Sequence, residues 1–474
     1  MPSAAPDLDA PLETTHPFWD MVKLAAPTVA TMLSYTAMQF TDAFMVSRID
    51  PPDPVHLAAQ GNGGIWAFVP ASMALGFVGV VNTYVSQNLG AGHPERGPAY
   101  AWNALWLGLL AWVGLMLPMA VLLPHVFAHM GHEPRLLELE TAYGRILLCG
   151  LILTVCTRAM SQFFYGLHKP GIVFTAAVVG NLANLFLNYL LIYGHWGLPK
   201  MGVNGAATAT VIATGIELCL PLGLFLSRGY HERYGTRTAW RPSLPHVKDL
   251  FRLGWAPALM FGNEIICWAI FMSSYAGRFG AAQNSASWIA LRYMHLSFMP
   301  AVGISYACTA MVGRALGANR PDLAAARARQ GVLLAMAYMG VCALAFVLFR
   351  HPMIDLFMPE GTPPDQRAAI LHVGTRIMIV AAVFQLFDGL GITLVGVLRG
   401  AGDTVWPGLL TIVLAWTCIV GGGWVVAEAW PAGGALGPWI AAGAYIILLG
   451  LGLFYRFASG KWREVHLLKH SAAG

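Results

Sequence analysis

The sequence predicts an all-α integral membrane protein, and three observations carry that prediction. Charged residues are only 11% of the 474 residues and hydrophobic ones 57%, where an ordinary globular domain carries about 25% charge. Apolar runs of the length that crosses a bilayer as a helix, about 20 residues, recur along the chain. The second half of the chain also echoes the first. A soluble protein of this size could not cover its surface with so few polar groups. Disorder needs high charge and low hydrophobicity, and the mean hydropathy here is +0.59.

Twelve spans follow, at roughly 21–47, 56–88, 98–123, 136–166, 171–194, 204–227, 249–277, 284–315, 325–350, 367–398, 403–428 and 434–457. Helices are expected because only helices and closed barrels satisfy the backbone in lipid, and the alternation of barrel strands is missing. The spans group into a tail (1–20), a first six-helix bundle (21–227), a polar connector (228–246), a second six-helix bundle (247–458) and a final tail (459–474). Lys and Arg in or near alternate loops fall sixteen on one side and six on the other, which predicts both termini and the connector on the cytoplasmic side. The N-terminus is acidic and Pro-rich and lacks the positive start of a signal peptide.

The duplication is legible in pieces. VSQNLGAGHP at 85–94 answers VGRALGANRP at 312–321, offset by 227 residues. Arg145 answers Arg376, and Pro27 in span 1 answers Pro257 in span 7. Six spans return the chain to the side it started from, so the two bundles should be parallel repeats, an arrangement of alternating-access transporters with the site between the halves.

Several chemistries are excluded or weakened. None of the six lysines precedes Ser or Thr, so no phosphate-binding G-x-x-x-x-G-K-[ST] loop exists. G-x-S-x-G and H-E-x-x-H are absent, and an enzyme is not expected. The seven cysteines lie in apolar runs and form no C-x-x-C, which suits small buried hydrophobes. His125, His129 and His132 read as a solvated loop, with metal ligation the alternative.

The informative residues are ionisable groups inside spans, since a central charge costs about 2.5–3.5 kcal/mol on insertion scales. Asp42, Glu264 and Asp388 stand out as carboxyls that exchange a proton, Na⁺ or a cationic solute; an ion pair with Arg292 or Arg376 is the structural alternative. Glu217, Arg145 and Arg376 read as structural. Asn181, Asn184 and Asn188 in span 5, with Thr210 in span 6, form a polar network that either meets Asp42 or holds helices together. Pro27 and Pro257 predict kinks. Trp268, Tyr293, His295 and Tyr306, with Phe298, Met299 and Phe384, are candidates for a cleft wall that accepts flat apolar cations.

Together these pieces resemble the multidrug and toxic compound extrusion (MATE) family, in its bacterial NorM-type branch, over about 17–458. The resemblance rests on TDAFMVSRI, VSQNLGAGHPER, NLANLFLNYLLIYG with NGAATAT, the acid at Glu264, FMPAVGISYACTAMVGRALGANRP and LFDGLGITLVGVLRGAGDT. It implies two pseudo-symmetric six-helix bundles around a central cleft, and export of organic cations and drugs in exchange for Na⁺ or H⁺. It implies no cofactor beyond that ion, no nucleic-acid partner, a single chain acting alone, and a bacterial inner membrane. Asp42 matches the family's first-bundle acid, Glu264 and Asp388 its second-bundle acids, and Asn184 a nearby Asn. Asn188 stands where some members carry a second Asp, which leaves Asp42 as the sole acid expected in the first-bundle site. A lipid-linked glycan flippase or a narrow-substrate exporter of the same superfamily is the alternative.

Overall fold

The computed structural model describes residues 16–51, 53–130, 133–358, 363–465 and 467–468. His132 and the outer parts of both expected tails lie outside the described residues. Twelve long helices are present: α1 (Pro17–Ser47), α2 (Val55–Gly90), α3 (Pro94–His129), α4 (Pro134–Gly166), α5 (Pro170–Tyr193), α6 (Val203–Phe225), α7 (Leu244–Tyr275), α8 (Ala282–Gly317), α9 (Pro321–Leu348), α10 (Pro364–Ala401), α11 (Val405–Ala429) and α12 (Leu436–Ala458). All but α1 are long and apolar enough to cross a membrane. Asp20, Lys23 and Asp42 interrupt α1, yet it packs lengthwise on α5 and α8.

Proline sets many helix starts. Pro17, Pro94, Pro134, Pro170, Pro321 and Pro364 all occupy a first turn, where the missing N–H would have had no partner. Asp53 caps the start of α2 by accepting a hydrogen bond from Val55 N at 2.9 Å. Three helices carry a π-helical stretch, at Trp112–Met116, Phe271–Ala276 and Ala415–Gly422.

Most packing lies within α1–α6 and within α7–α12, but α1 also lies along α8 and α7 along α2, so these two helices join the bundles. The connector between them is not a free loop. It contains a short helix, Arg228–Tyr234, and lies on α3: Trp102 and Trp106 donate to the carbonyls of Thr236 and Trp240, and Asn103 accepts from Ser243 N.

The bundles meet through glycines placed by the duplication. A Cβ added at Gly90 would lie 1.9 Å from Arg314 O, and one at Gly317 would lie 1.9 Å from Gln87 O. Gly90 and Gly317 are the same position of the repeated motif, and so are Gln87 and Arg314, so the contact is reciprocal. A second reciprocal pair follows. Gly76 of α2 lies against Pro257 and Ala258 of α7, and Gly303 of α8 against Thr28 and Val29 of α1. The matched prolines Pro27 and Pro257 thus flank matched crossings.

These crossings run from one end, where α1 and α7 begin and α2, α8 and α10 finish, to about the middle of the helices. Thr28 donates to Gly303 O, Thr83 to Arg399 O and Gln87 to Gly400 O there, at 2.7–2.9 Å. Toward the other end the bundle-facing side of α8 emerges: Tyr306, Val302 and Met299 touch the first bundle, while His295, Arg292 and Trp288 on the same face are exposed. A cleft closed at one end and open at the other results.

Gly317→Val should wedge the closed end apart. With the seven native cysteines replaced, spin labels at Arg96→Cys and Arg320→Cys should then report a longer distance than in the parent. An unchanged distance would mean that the glycine contact does not set the closure.

Candidate functional site: two carboxyl clusters flanking the cleft

The first cluster lies inside the first bundle, toward the open end. Asp42 of α1 is 7% exposed. Asn188 of α5, fully buried, donates through Nδ2 both to Asp42 Oδ1 and, at 3.0 Å, to Asn184 Oδ1. Asn184 donates to Thr210 Oγ1 of α6 at 3.3 Å. The chain Asp42–Asn188–Asn184–Thr210 therefore links three helices, and the polar network does meet Asp42. Asn181 stands apart from it: its amide donates to Ser34 of α1 instead. The one-turn spacing of Asn184 and Asn188 put both amides on the face turned to α1 and α6. The amides make Asp42 an acceptor without a cationic partner in direct contact, and no Arg or Lys is paired with it among the described residues. Tyr143 of α4 is an ionisable group close enough to feel its charge.

The second cluster lies inside the second bundle. Glu264 of α7 and Asp388 of α10 are half-buried and close enough to interact electrostatically. The Tyr445 hydroxyl of α12 donates to Glu264 Oε1 at 3.1 Å. The alternative of an ion pair with Arg292 or Arg376 is not realised: Arg292 lies over the Phe357 ring, with its guanidinium 5.7 Å from the centroid, and Arg376 is exposed. Trp268, one turn beyond Glu264 on α7, packs edge-on to Phe271 and beside Trp439. Gln385, one turn before Asp388, donates to Ser297.

Other candidates fall elsewhere. Tyr293 does not face the cleft: its hydroxyl donates to Met353 O at 2.8 Å, and its ring stands edge-on to Phe357 within the second bundle. Phe384 is 1% exposed, inside the same core. His295 is exposed on the cleft-facing side of α8. Tyr306 lies at the floor rather than on the open wall, stacked on Tyr165 of the first bundle with ring centroids 5.5 Å apart. His125 and His129 are exposed at the end of α3, and among the described residues no group of three His, Cys, Asp or Glu could hold a metal.

Sequence reasoning missed Tyr445, although a tyrosine amid the apolar residues of span 12 was a signal. It also missed Tyr35 as the partner of Glu217, and that Arg158, an ionisable group inside span 4, lies beside them. The Tyr35 hydroxyl donates to Glu217 Oε1, and the Arg158 guanidinium lies 4.4 Å from the Tyr35 ring centroid.

The model of the MatE family matches residues 27–190 and 260–422, one segment in each bundle and together more than half of the chain. The chain belongs to the MatE family. A probable multidrug resistance protein NorM of Pseudomonas syringae pv. tomato is 29% identical over 469 residues, covering 96% of this chain and 97% of its own. A protein of the same description from Shewanella oneidensis is 26% identical, covering 94% and 96%. Among solved structures, an outward-facing multidrug resistance MATE family transporter of the MOP superfamily superposes with TM-score 0.80 at 22% identity, covering 94% of this chain and 97% of that one. A MOP superfamily transporter from Pyrococcus furiosus, described as having a binding pocket of reverse polarity, superposes with TM-score 0.82 at 21% identity and the same coverage. This MatE protein is thus a multi-pass membrane protein with the MATE transporter fold.

Tyr445→Phe would leave Glu264 without its donor, at a cost of about 1 kcal/mol for a half-buried acceptor. Thermal unfolding in detergent should show a lower Tm. The double variant Glu264→Gln, Tyr445→Phe should lose less than the sum of the singles; strict additivity would mean that the two groups do not interact.

Proposed function

We propose that this protein exports organic cations and amphipathic drugs from the cytoplasm in exchange for Na⁺ or H⁺, by alternating access of the cleft. The observation that carries this reading is the pair of carboxyl clusters, one in each bundle, flanking a cleft whose closed end is held by contacts between the bundles. Such contacts can part without unfolding either bundle. The carboxyls supply exchangeable sites: each holds either the coupling ion or a cationic solute. The NorM relatives support the same reading through the function in their names. The closed end carries most of the loop Lys and Arg. By the positive-inside rule that end is cytoplasmic, so both termini are cytoplasmic and the cleft opens outward. We place the protein in a bacterial inner membrane, acting as a single chain with no cofactor but its coupling ion.

The energetics limit the stoichiometry. A unit charge crossing 100 mV releases about 2.3 kcal/mol, and each pH unit adds about 1.4 kcal/mol. For a monovalent cation exchanged one for one, the electrical part cancels. Strong export of a cation therefore needs two coupling ions, and the two clusters provide two places for them.

Purified protein in liposomes without ATP should extrude ethidium when a Na⁺ or a pH gradient is imposed. Asp388→Asn and Glu264→Gln should each lower the gradient-driven rate at least tenfold. Wild-type rates in both variants would remove the second cluster from the exchange.

A further inference from the structure

The first bundle holds a second polar tier, deeper than the Asp42 cluster and closer to the sealed end. Asp42 and Tyr35 are seven residues apart on α1, Asn188 and Asn181 on α5, and Thr210 and Glu217 on α6. Seven residues are two turns, about 10.5 Å of rise, so each pair shares a helix face. The same three helices thus present two layers: Asp42, Asn188 and Thr210 above, Tyr35, Asn181 and Glu217 below.

Glu217 is 7% exposed. Its neighbours are few and named. From α1, Tyr35 donates to Oε1. From α4, Arg158 and Tyr165 are the charged and titratable groups near it. From α8 across the bundle interface, Tyr306 faces Arg158. From α5, Gly180 leaves the room: a Cβ added there would stand 2.8 Å from Glu217 Cβ. Arg158 makes no direct contact with the carboxyl: its guanidinium lies over the Tyr35 ring, close enough for its charge to act on Glu217. A carboxyl this deep in lipid is costly, and apolar packing does not account for it. Between the tiers, Asn188 Oδ1 and Asn181 Oδ1 are buried and accept no hydrogen bond from the described residues. Buried acceptors of this kind are the usual partners of internal water.

We propose that Glu217 is the inner proton relay of the first bundle, taking the proton that Asp42 gives up and delivering it at the sealed end. The assignment rests on the exchange reading, with H⁺ as the ion. The Asp42 carboxylic acid loses its proton to water held by the amide oxygens of Asn188 and Asn181 and becomes a carboxylate. The Glu217 carboxylate gains one and becomes the acid. When the bundles part at the sealed end, Tyr306 leaves with the second bundle, its stack on Tyr165 opens, and Glu217 gives the proton to cytoplasmic water. Tyr35 is a positioning residue for the returned carboxylate, and the nearby Arg158 supplies positive charge that draws the carboxylate's proton site back to its resting state. In this way one carboxyl at each level moves a proton that a lone Asp42 would have to release across two further turns of helix.

The test uses full-length protein in liposomes, ethidium as substrate, and two readouts. One is uphill efflux driven by a pH gradient. The other is counterflow, exchange of labelled for unlabelled ethidium at equal pH, which moves substrate without net proton transfer. Glu217→Gln should lower pH-driven efflux at least tenfold and leave counterflow within twofold. Glu217→Asp should recover part of the uphill rate. The double variant Arg158→Gln, Glu217→Gln removes both charges together and should behave as the single does, which guards against misfolding. Wild-type uphill efflux in the double variant would overturn the relay. An equal loss of both readouts in all three variants would overturn it in favour of a structural pair. If wild-type protein responds to Na⁺ alone, proton exchange itself fails and the relay with it, a result read before any variant is made.

Discussion

Two helices can approach backbone to backbone only where no side chain intervenes, and the closed end of this protein is built on that constraint. Gly90 against Arg314 and Gly317 against Gln87 leave no space for a single added carbon. Lipid offers no hydrophobic drive for helices to associate, so close packing and interhelical hydrogen bonds must do so. The glycine crossings give the closeness, and Thr28, Thr83 and Gln87 reach carbonyls of the other bundle because of it. Everything above the closure follows: the cleft opens because the bundles touch at one end.

The same absence of water shapes the carboxyls. A group that would be solvated in a soluble protein must here find hydrogen-bond donors inside the fold. Asp42 finds an amide, Glu264 a phenol, and Glu217 a phenol beside a guanidinium. These are different solutions with different consequences. An amide or a phenol satisfies the carboxyl without fixing its charge, so it remains free to exchange an ion.

Duplication ties these features together. Matched residues do not merely resemble each other; they touch each other's surroundings across a pseudo-two-fold axis. Gly76 and Gly303 meet the regions around Pro257 and Pro27 in turn. The two carboxyl clusters share that symmetry only in part, since α1 answers α7 and α6 answers α12 while α5 and α10 do not correspond. The first draws on α1, α5 and α6 and the second on α7, α10 and α12, so the two halves have diverged in their polar chemistry while keeping the contacts that close the cleft.

Much was legible in the residues alone. Span number, helical class, the repeat and the carboxyls Asp42, Glu264 and Asp388 all follow from local facts: apolar length, motif offset and the cost of charge in lipid. The link from Asn188 to Asp42 was one of two readings left open by the sequence, and packing decided it, with Asn181 turning to Ser34 instead. What required the tertiary structure was direction. Tyr293 and Phe384 read as cleft wall yet face their own bundle, because side-chain orientation on a helix hydrophobic all round carries no periodic signal. Tyr445, Tyr35 and Arg158 were invisible as partners because they come from helices distant in the chain. Composition and spacing can say that a buried charge needs a partner; only packing decides which helix supplies it.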